Sequence, residues 1–154
     1  MIVKIKKFRE NARVPEKMSE LAAGYDLYVS EIEDTEPGFA ICKLGIGMTP
    51  PKGYKIVFVP RSSITKTKWL LQNSPTQGDE DFVGEYQLRL RAIPSMHVNS
   101  FQNTYLGYEP FPYKVGDRIG QMFIEKVIDF TFEEVEELED TERGDGGFGS
   151  SGVN

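Results

Sequence analysis

The sequence predicts an all-β fold, jelly-roll-like or a distorted β-barrel, with one short helix and a flexible C-terminal arm. Three observations predict it. Short runs rich in β-branched and aromatic residues recur between glycine and proline turns. Nowhere does a helical apolar period run long enough for a core helix. The last stretch, R-G-D-G-G-F-G-S-S-G over residues 143–152, is too glycine-rich to hold one shape unaided.

At 154 residues the chain fits a β domain over residues 1–142 with a core of its own, followed by an arm over residues 143–154. Hydrophobic residues make up 39% and charged residues 27%, the balance of a soluble globular protein, and a cytoplasmic location is expected, host cytoplasm for a viral protein. Cys42, the single cysteine, has no internal disulfide partner, which suits a reducing compartment and excludes a thiolate cluster. It reads as a small apolar strand residue. No apolar run approaches the roughly 20 residues that span a bilayer, and lysines interrupt the apolar residues of the first ten, so neither membrane contact nor a signal peptide is expected. The formal charge is −6, and seven acids lie in residues 133–142, which leaves the rest at +1 without a basic stripe. Nucleic acid is therefore a poor partner, and any bound phosphate belongs to a small molecule.

Taken in order, residues 1–8 alternate apolar with lysine, the pattern of a strand with one wet face. Residues 13–20 read as loop. A strand opens at residues 21–28 (L-A-A-G-Y-D-L-Y), whose small residues admit a close backbone approach and whose Asp26 is a buried charge in need of a partner. Residues 39–44 and 54–59 are further strands, the second the most β-prone run in the chain. It ends in Pro60-Arg61-Ser62-Ser63, where a guanidinium fork beside two hydroxyls suits phosphate oxygens. Ser62 or Ser63 equally suits the N-cap of a short helix over residues 64–71, packed on the sheet by Trp69, Leu70 and Leu71.

Residues 73–85 (N-S-P-T-Q-G-D-E-D-F-V-G-E) break regular structure at Pro75 and Gly78, present Asp79, Glu80 and Asp81 on a hairpin, and lead into a strand from Tyr86 to Ile93. A carboxylate fixed there beside a water and an electrophile can act as a general base. Residues 94–112, polar and aromatic with three prolines, read as a long excursion that carries the one histidine, His97, to which no catalytic or metal role is given. Residues 115–123 are a turn feeding a strand, with Arg118 expected in an internal ion pair and Gln121 a polar group that needs a specific partner. Residues 130–138 are read as a last strand. In the arm, Phe148 is suited to stack on a base and Arg143 to meet a phosphate.

Five stretches in this order resemble the five motifs of the homotrimeric deoxyuridine triphosphatase (dUTPase) family: A-G-Y-D-L-Y at 23–28, P-R-S-S at 60–63, residues 73–85, G-D-R-I-G-Q-M at 116–122, and the arm at 143–152. Five motifs in sequence over most of a chain are far more specific than any one. The resemblance implies a Mg²⁺-dependent dUTP diphosphatase, a homotrimer that makes dUMP and pyrophosphate, limits uracil in DNA and supplies dUMP for thymidylate synthesis. By the same resemblance Asp79 matches the water-activating aspartate. Phe82 stands where the family usually has a tyrosine that packs on the deoxyribose. Asn73, Gln77, Gly78 and Gln87 fall on the hairpin that surrounds uracil. Arg61, Ser62, Ser63 and Gln121 match phosphate contacts, and Asp26 matches an acid that supports the Mg²⁺ region indirectly, through water. Arg143, Phe148, Gly149, Ser150 and Ser151 match the arm that closes over base and γ-phosphate.

Two departures stand out. Thr76-Gln77-Gly78 replaces a pattern with glycine first and an aliphatic residue directly before the aspartate, and residues 94–112 exceed the usual connection. An interface or a regulatory protein partner is the role left open for that insertion. The alternatives are a deoxycytidine triphosphate deaminase of related fold, against which the glycine-rich arm speaks, and a nucleotide-gated binding protein that acts through the insertion.

Overall fold

The computed structural model describes residues 1–99 and 101–146, and it is built from two four-stranded antiparallel sheets with two short ribbons beside them. The first sheet has the order β2-β12-β6-β8, formed by β2 (Tyr25–Tyr28), β12 (Arg118–Lys126), β6 (Tyr54–Pro60) and β8 (Thr76–Gly78). The second has the order β3-β4-β9-β7, formed by β3 (Glu31–Glu36), β4 (Phe39–Lys43), β9 (Gln87–Ala92) and β7 (Trp69–Leu71). β1 (Lys4–Lys7) pairs with β5 (Ile46–Thr49), and β10 (Ser95–Val98) with β11 (Thr104–Gly107). This is the expected all-β, jelly-roll-like architecture, and among the described residues its sheets remain separate and do not close into a barrel.

The core lies between the sheets. In β9, Leu88, Leu90 and Ala92 are buried while Arg89 and Arg91 are exposed, the period-two signature of a strand with one dry face. Leu27, Ile56, Phe58 and Ile119 from the first sheet meet Ala40, Cys42, Leu88 and Leu90 from the second. Cys42 is a buried strand residue, as its surroundings in the sequence suggest.

Three elements differ from expectation. The helix expected over residues 64–71 is a 3-10 helix at Ser62–Lys66 with no side-chain cap, and Trp69–Leu71 is a strand. Its alternation explains why: Trp69 and Leu71 are buried while Leu70 is exposed, the period of a strand with one dry face, and the three residues pair with β9. The excursion at 94–112 contains the β10–β11 ribbon, whose strands, among the described residues, pair only with each other. Its return leg is tied down where the Trp69 indole N–H donates to the carbonyls of Glu109 and Pro110, both at 3.2 Å. Residues 130–138 form no strand, and Phe130, Phe132 and Leu138 are exposed; four of the nine residues are glutamates, which suit a strand poorly.

Burial also sets a pH limit. It pushes the Cys42 thiol from 9.0 up to about 12, and burial, followed by the nearby charge of Asp79, pushes the Tyr86 phenol from 10.0 to about 12. The unfolded chain ionises these groups first, so stability is whole below pH 9 and falls as pH rises toward 12. Urea midpoints measured across that range should decline, and Cys42→Ala should flatten the part of the decline that begins at the thiol's ordinary value.

Candidate active site

Strand register builds the first cluster. β12 pairs with β2 on one side and β6 on the other, which sets Gln121 directly opposite both Asp26 and Val59 and brings Gly120 opposite Pro60. Arg61 therefore leaves the end of β6 beside the carboxylate of Asp26, which is only 1% exposed. A buried carboxylate without compensation costs several kcal/mol, roughly. Here Gln121 Nε2 donates to Asp26 Oδ1 at 2.9 Å, Arg118 Nη1 donates to Oδ2 at 3.0 Å, and Arg61 Nε lies 3.3 Å from Oδ1. The partners that the sequence demands for Asp26, Arg118 and Gln121 are thus one another.

Two guanidiniums around one carboxylate leave a surplus of positive charge. Arg61 makes only long hydrogen bonds, with Nη1 at 3.4 Å from Ser63 Oγ and 3.5 Å from the Arg118 carbonyl, and its buried Nε has no hydrogen-bond partner among the described residues. Ser62 and Ser63 start the 3-10 helix, where backbone N–H groups lack intrahelical acceptors and no side chain caps them. The cluster can accept an anion rich in oxygen.

The second cluster is the crossing between the sheets. Residues 73–87 are not the expected two-stranded hairpin: β8 pairs with β6 in the first sheet, whereas β9 pairs with β4 and β7 in the second. Asn73 closes the base of this crossing, donating through Nδ2 to the Gln87 carbonyl at 3.3 Å and accepting from the Arg89 N–H at 2.8 Å. Thr76 Oγ1 donates to the Asn73 carbonyl. Beyond Gly78 the chain is exposed through Asp79, Glu80 and Asp81. Glu80 Oε2 accepts from the Gly53 N–H at 2.9 Å, and Lys55 Nζ donates to Gln77 Oε1 at 3.2 Å. Gln77, Asp79 and Glu80 line a cleft of about 430 Å³ together with Lys52, Tyr54 and Val127. Phe82, 42% exposed, rests its ring on Tyr86 with centroids 5.0 Å apart. At the far side Glu85 is clamped by Arg9 and by the Gly45 N–H, the latter at 2.8 Å. Arg9 was not singled out from sequence, since nothing local to it points at Glu85, 76 positions away.

The two clusters are far apart in one chain. Ile56 faces Gly78 and Pro60 faces Gly120, so Asp79 and Arg61 depart from opposite ends of β6, about 15–20 Å apart by the rise of a strand. At the arm, Arg143 Nε donates to the Gly146 carbonyl at 2.7 Å within a turn that has Gly144 at φ +54°. Phe148, Gly149, Ser150 and Ser151 lie outside the described residues. Among the described residues no group of three or more His, Cys, Asp or Glu gathers as a metal cage, and both oxygens of Asp26 are already engaged.

An all-β chain that presents an anion cradle at one end of a strand and an exposed carboxylate with an aromatic ring at the other has the parts of a small-molecule phosphate-ester or anhydride hydrolase. Comparison with known proteins makes this specific. The family model for dUTPase matches residues 10–152, and the chain belongs to the dUTPase family, whose members are nucleotide diphosphatases. It is 33% identical to the deoxyuridine 5′-triphosphate nucleotidohydrolase of Helicobacter pylori (strain P12), with 99% of this chain and 98% of that protein covered. The Yarrowia lipolytica protein of the same name is 35% identical, over 100% of this chain and 91% of its own. Among solved structures, the Staphylococcus bacteriophage 80alpha dUTPase with dUPNHPP superposes with a TM-score of 0.76 at 26% identity, covering 99% of both chains.

Loss of the Asp26 charge should leave two guanidiniums facing each other without their counter-ion. Because both are partly exposed, Asp26→Ala is expected to lower the unfolding free energy by about 1–3 kcal/mol, read from urea denaturation at neutral pH, while Asp79→Ala on its exposed turn should change it little.

Proposed function

We propose that the protein hydrolyses dUTP to dUMP and pyrophosphate, with Asp79 as the general base, and that this limits uracil in DNA while supplying dUMP for thymidylate synthesis. The observation that carries the reading is the family match over residues 10–152, which spans all five motif stretches. In the proposed reaction Asp79 takes a proton from a water as its oxygen attacks the α-phosphorus. The bond from that phosphorus to the bridging oxygen breaks, and pyrophosphate leaves. Arg61, the Ser62 and Ser63 groups and Gln121 hold phosphate oxygens, with Asp26 fixing the directions of Arg61 and Gln121. Mg²⁺ would be held mainly by the phosphate oxygens, with Asp26 contributing at most through water, and would supply neutralisation of negative charge on the leaving group.

Base choice follows from the crossing segment. Uracil presents an N3–H donor between two carbonyl acceptors, and cytosine presents a different pattern. A fixed backbone around Gln77, Gly78 and Gln87 that matches the first leaves buried polar groups unpaired against the second. The ring of Phe82 packs on the deoxyribose and leaves no room for a 2′-hydroxyl. The arm over residues 143–154 closes the site, bringing Arg143 to the γ-phosphate and Phe148 to the base, with Gly149, Ser150 and Ser151 completing the cover.

A homotrimer is part of the same proposal. What supports it is distance: Arg61 and Asp79 sit at opposite ends of β6, so one nucleotide is gripped by both only if they come from different subunits. The exposed Phe130, Phe132, Val135 and Leu138 supply apolar surface for such contacts.

Steady-state assays with dUTP, dTTP, dCTP and UTP, each with and without Mg²⁺, should show dUTP-selective hydrolysis. Asp79→Asn should lower kcat by roughly 10²–10⁴-fold with little change in KM; equal cleavage of all four nucleotides would refute the specificity. Deleting residues 143–154 should leave the oligomer intact and nearly inactive. Mixing inactive Asp79→Asn and Arg61→Gln subunits through unfolding and refolding should restore activity at about a quarter of the sites, since each site needs an intact residue from two neighbours. No recovery in verified hybrids would place both residues in one subunit's site.

A further inference from the structure

We propose that Tyr86 is a positioning residue that holds Asp79 and Phe82 in their working places from beneath, its ring filling the space that a side chain at position 78 would otherwise take. This rests on the dUTP-hydrolysis reading for what those two residues do, but not for the contact itself.

Tyr86 is the point at which the crossing segment enters the core. It is 6% exposed, and its own backbone is stitched on both sides: its N–H donates to the Ile46 carbonyl at 2.9 Å, and its carbonyl accepts from the Leu44 N–H at 3.0 Å. The ring lies 4.8 Å from Phe58 and 5.0 Å from Phe82, centroid to centroid, and the hydroxyl donates to the Met48 carbonyl at 3.4 Å. A ring fixed at that many points is a rigid surface. Phe82 packs on it directly, its ring tilted by 58°. Asp79 follows Gly78, where a Cβ would come within 2.5 Å of the Tyr86 hydroxyl and 2.9 Å of the ring carbon that bears it. Gly78 is a strand residue paired with Ile56 and is not among the glycines with positive φ, so its lack of a side chain serves space and not backbone conformation. The stretch before Asp79 therefore lies flush on the phenol, and any side chain there would lift the carboxylate. A shift of about 1 Å at a reacting group costs up to roughly 100-fold in rate.

The test uses full-length Tyr86→Leu, Gly78→Ala and the double variant, with wild-type turnover of dUTP as the control. Each single change should lower kcat by roughly tenfold or more while KM changes less. In the double variant the alanine methyl takes space vacated by the phenol, and kcat should recover to within about threefold of wild type. Amide hydrogen exchange over residues 79–84 should rise about tenfold in Tyr86→Leu while exchange in β6 and β12 stays unchanged. Wild-type kcat and exchange in Tyr86→Leu would overturn the proposal, and so would losses that multiply in the double variant. If Tyr86→Leu does not fold, Gly78→Ala alone carries the test. If wild type does not hydrolyse dUTP, the functional reading fails, and the exchange result still decides whether Tyr86 holds the segment.

Discussion

A carboxylate sealed between strands has to be answered by charge or hydrogen bonds, and at Asp26 the answer organises much of the molecule. Gln121, Arg118 and Arg61 converge on its two oxygens from β12 and from the end of β6. That convergence joins three strands through side chains as well as through the backbone ladder. It also holds Arg61 beside the carboxylate while its Nε has no hydrogen-bond partner among the described residues. The group that most needs compensation is thereby the group that aims the anion cradle.

The second constraint is topological. Residues 79–86 carry the chain from one sheet to the other, and so they cannot pair as a ladder of their own. The segment is pinned at its ends instead, by Asn73 on the β9 backbone, by Arg9 on Glu85, and by Tyr86 in the core. Between those pins Asp79 and Asp81 face solvent, while Glu80 accepts from the Gly53 N–H. Anchoring the stem and leaving the tip bare gives an exposed carboxylate a fixed base.

Legibility varied with the range of the forces involved. The strand character of residues 54–60 and 87–92 follows from β-branched and alternating side chains, and the need of Asp26, Arg118 and Gln121 for partners follows from isolated polar groups in apolar strands. The acidic β3 was not anticipated, since E-I-E-D-T-E has weak strand propensity and is held in place by pairing with β4 and by Lys43 bridging Glu31 and Glu33. Trp69–Leu71 went the same way, because pairing with β9 overrode a plausible helix. The ribbon at β10–β11 was hidden in a proline-rich stretch whose turn at Gln102, φ +61°, has no glycine to announce it.

By itself the sequence determined the all-β class and the five motif stretches that mark the family, because these depend on composition, local pattern and order along the chain. Only the tertiary structure decided that Arg61, Arg118 and Gln121 share one carboxylate, that Gly78 must lack a side chain to clear Tyr86, and that Asp79 stands at the opposite end of β6 from Arg61. The physical reason is that strand register and sheet crossing join residues dozens of positions apart, and the free energy that selects one register is spread over the whole core and written in no single stretch.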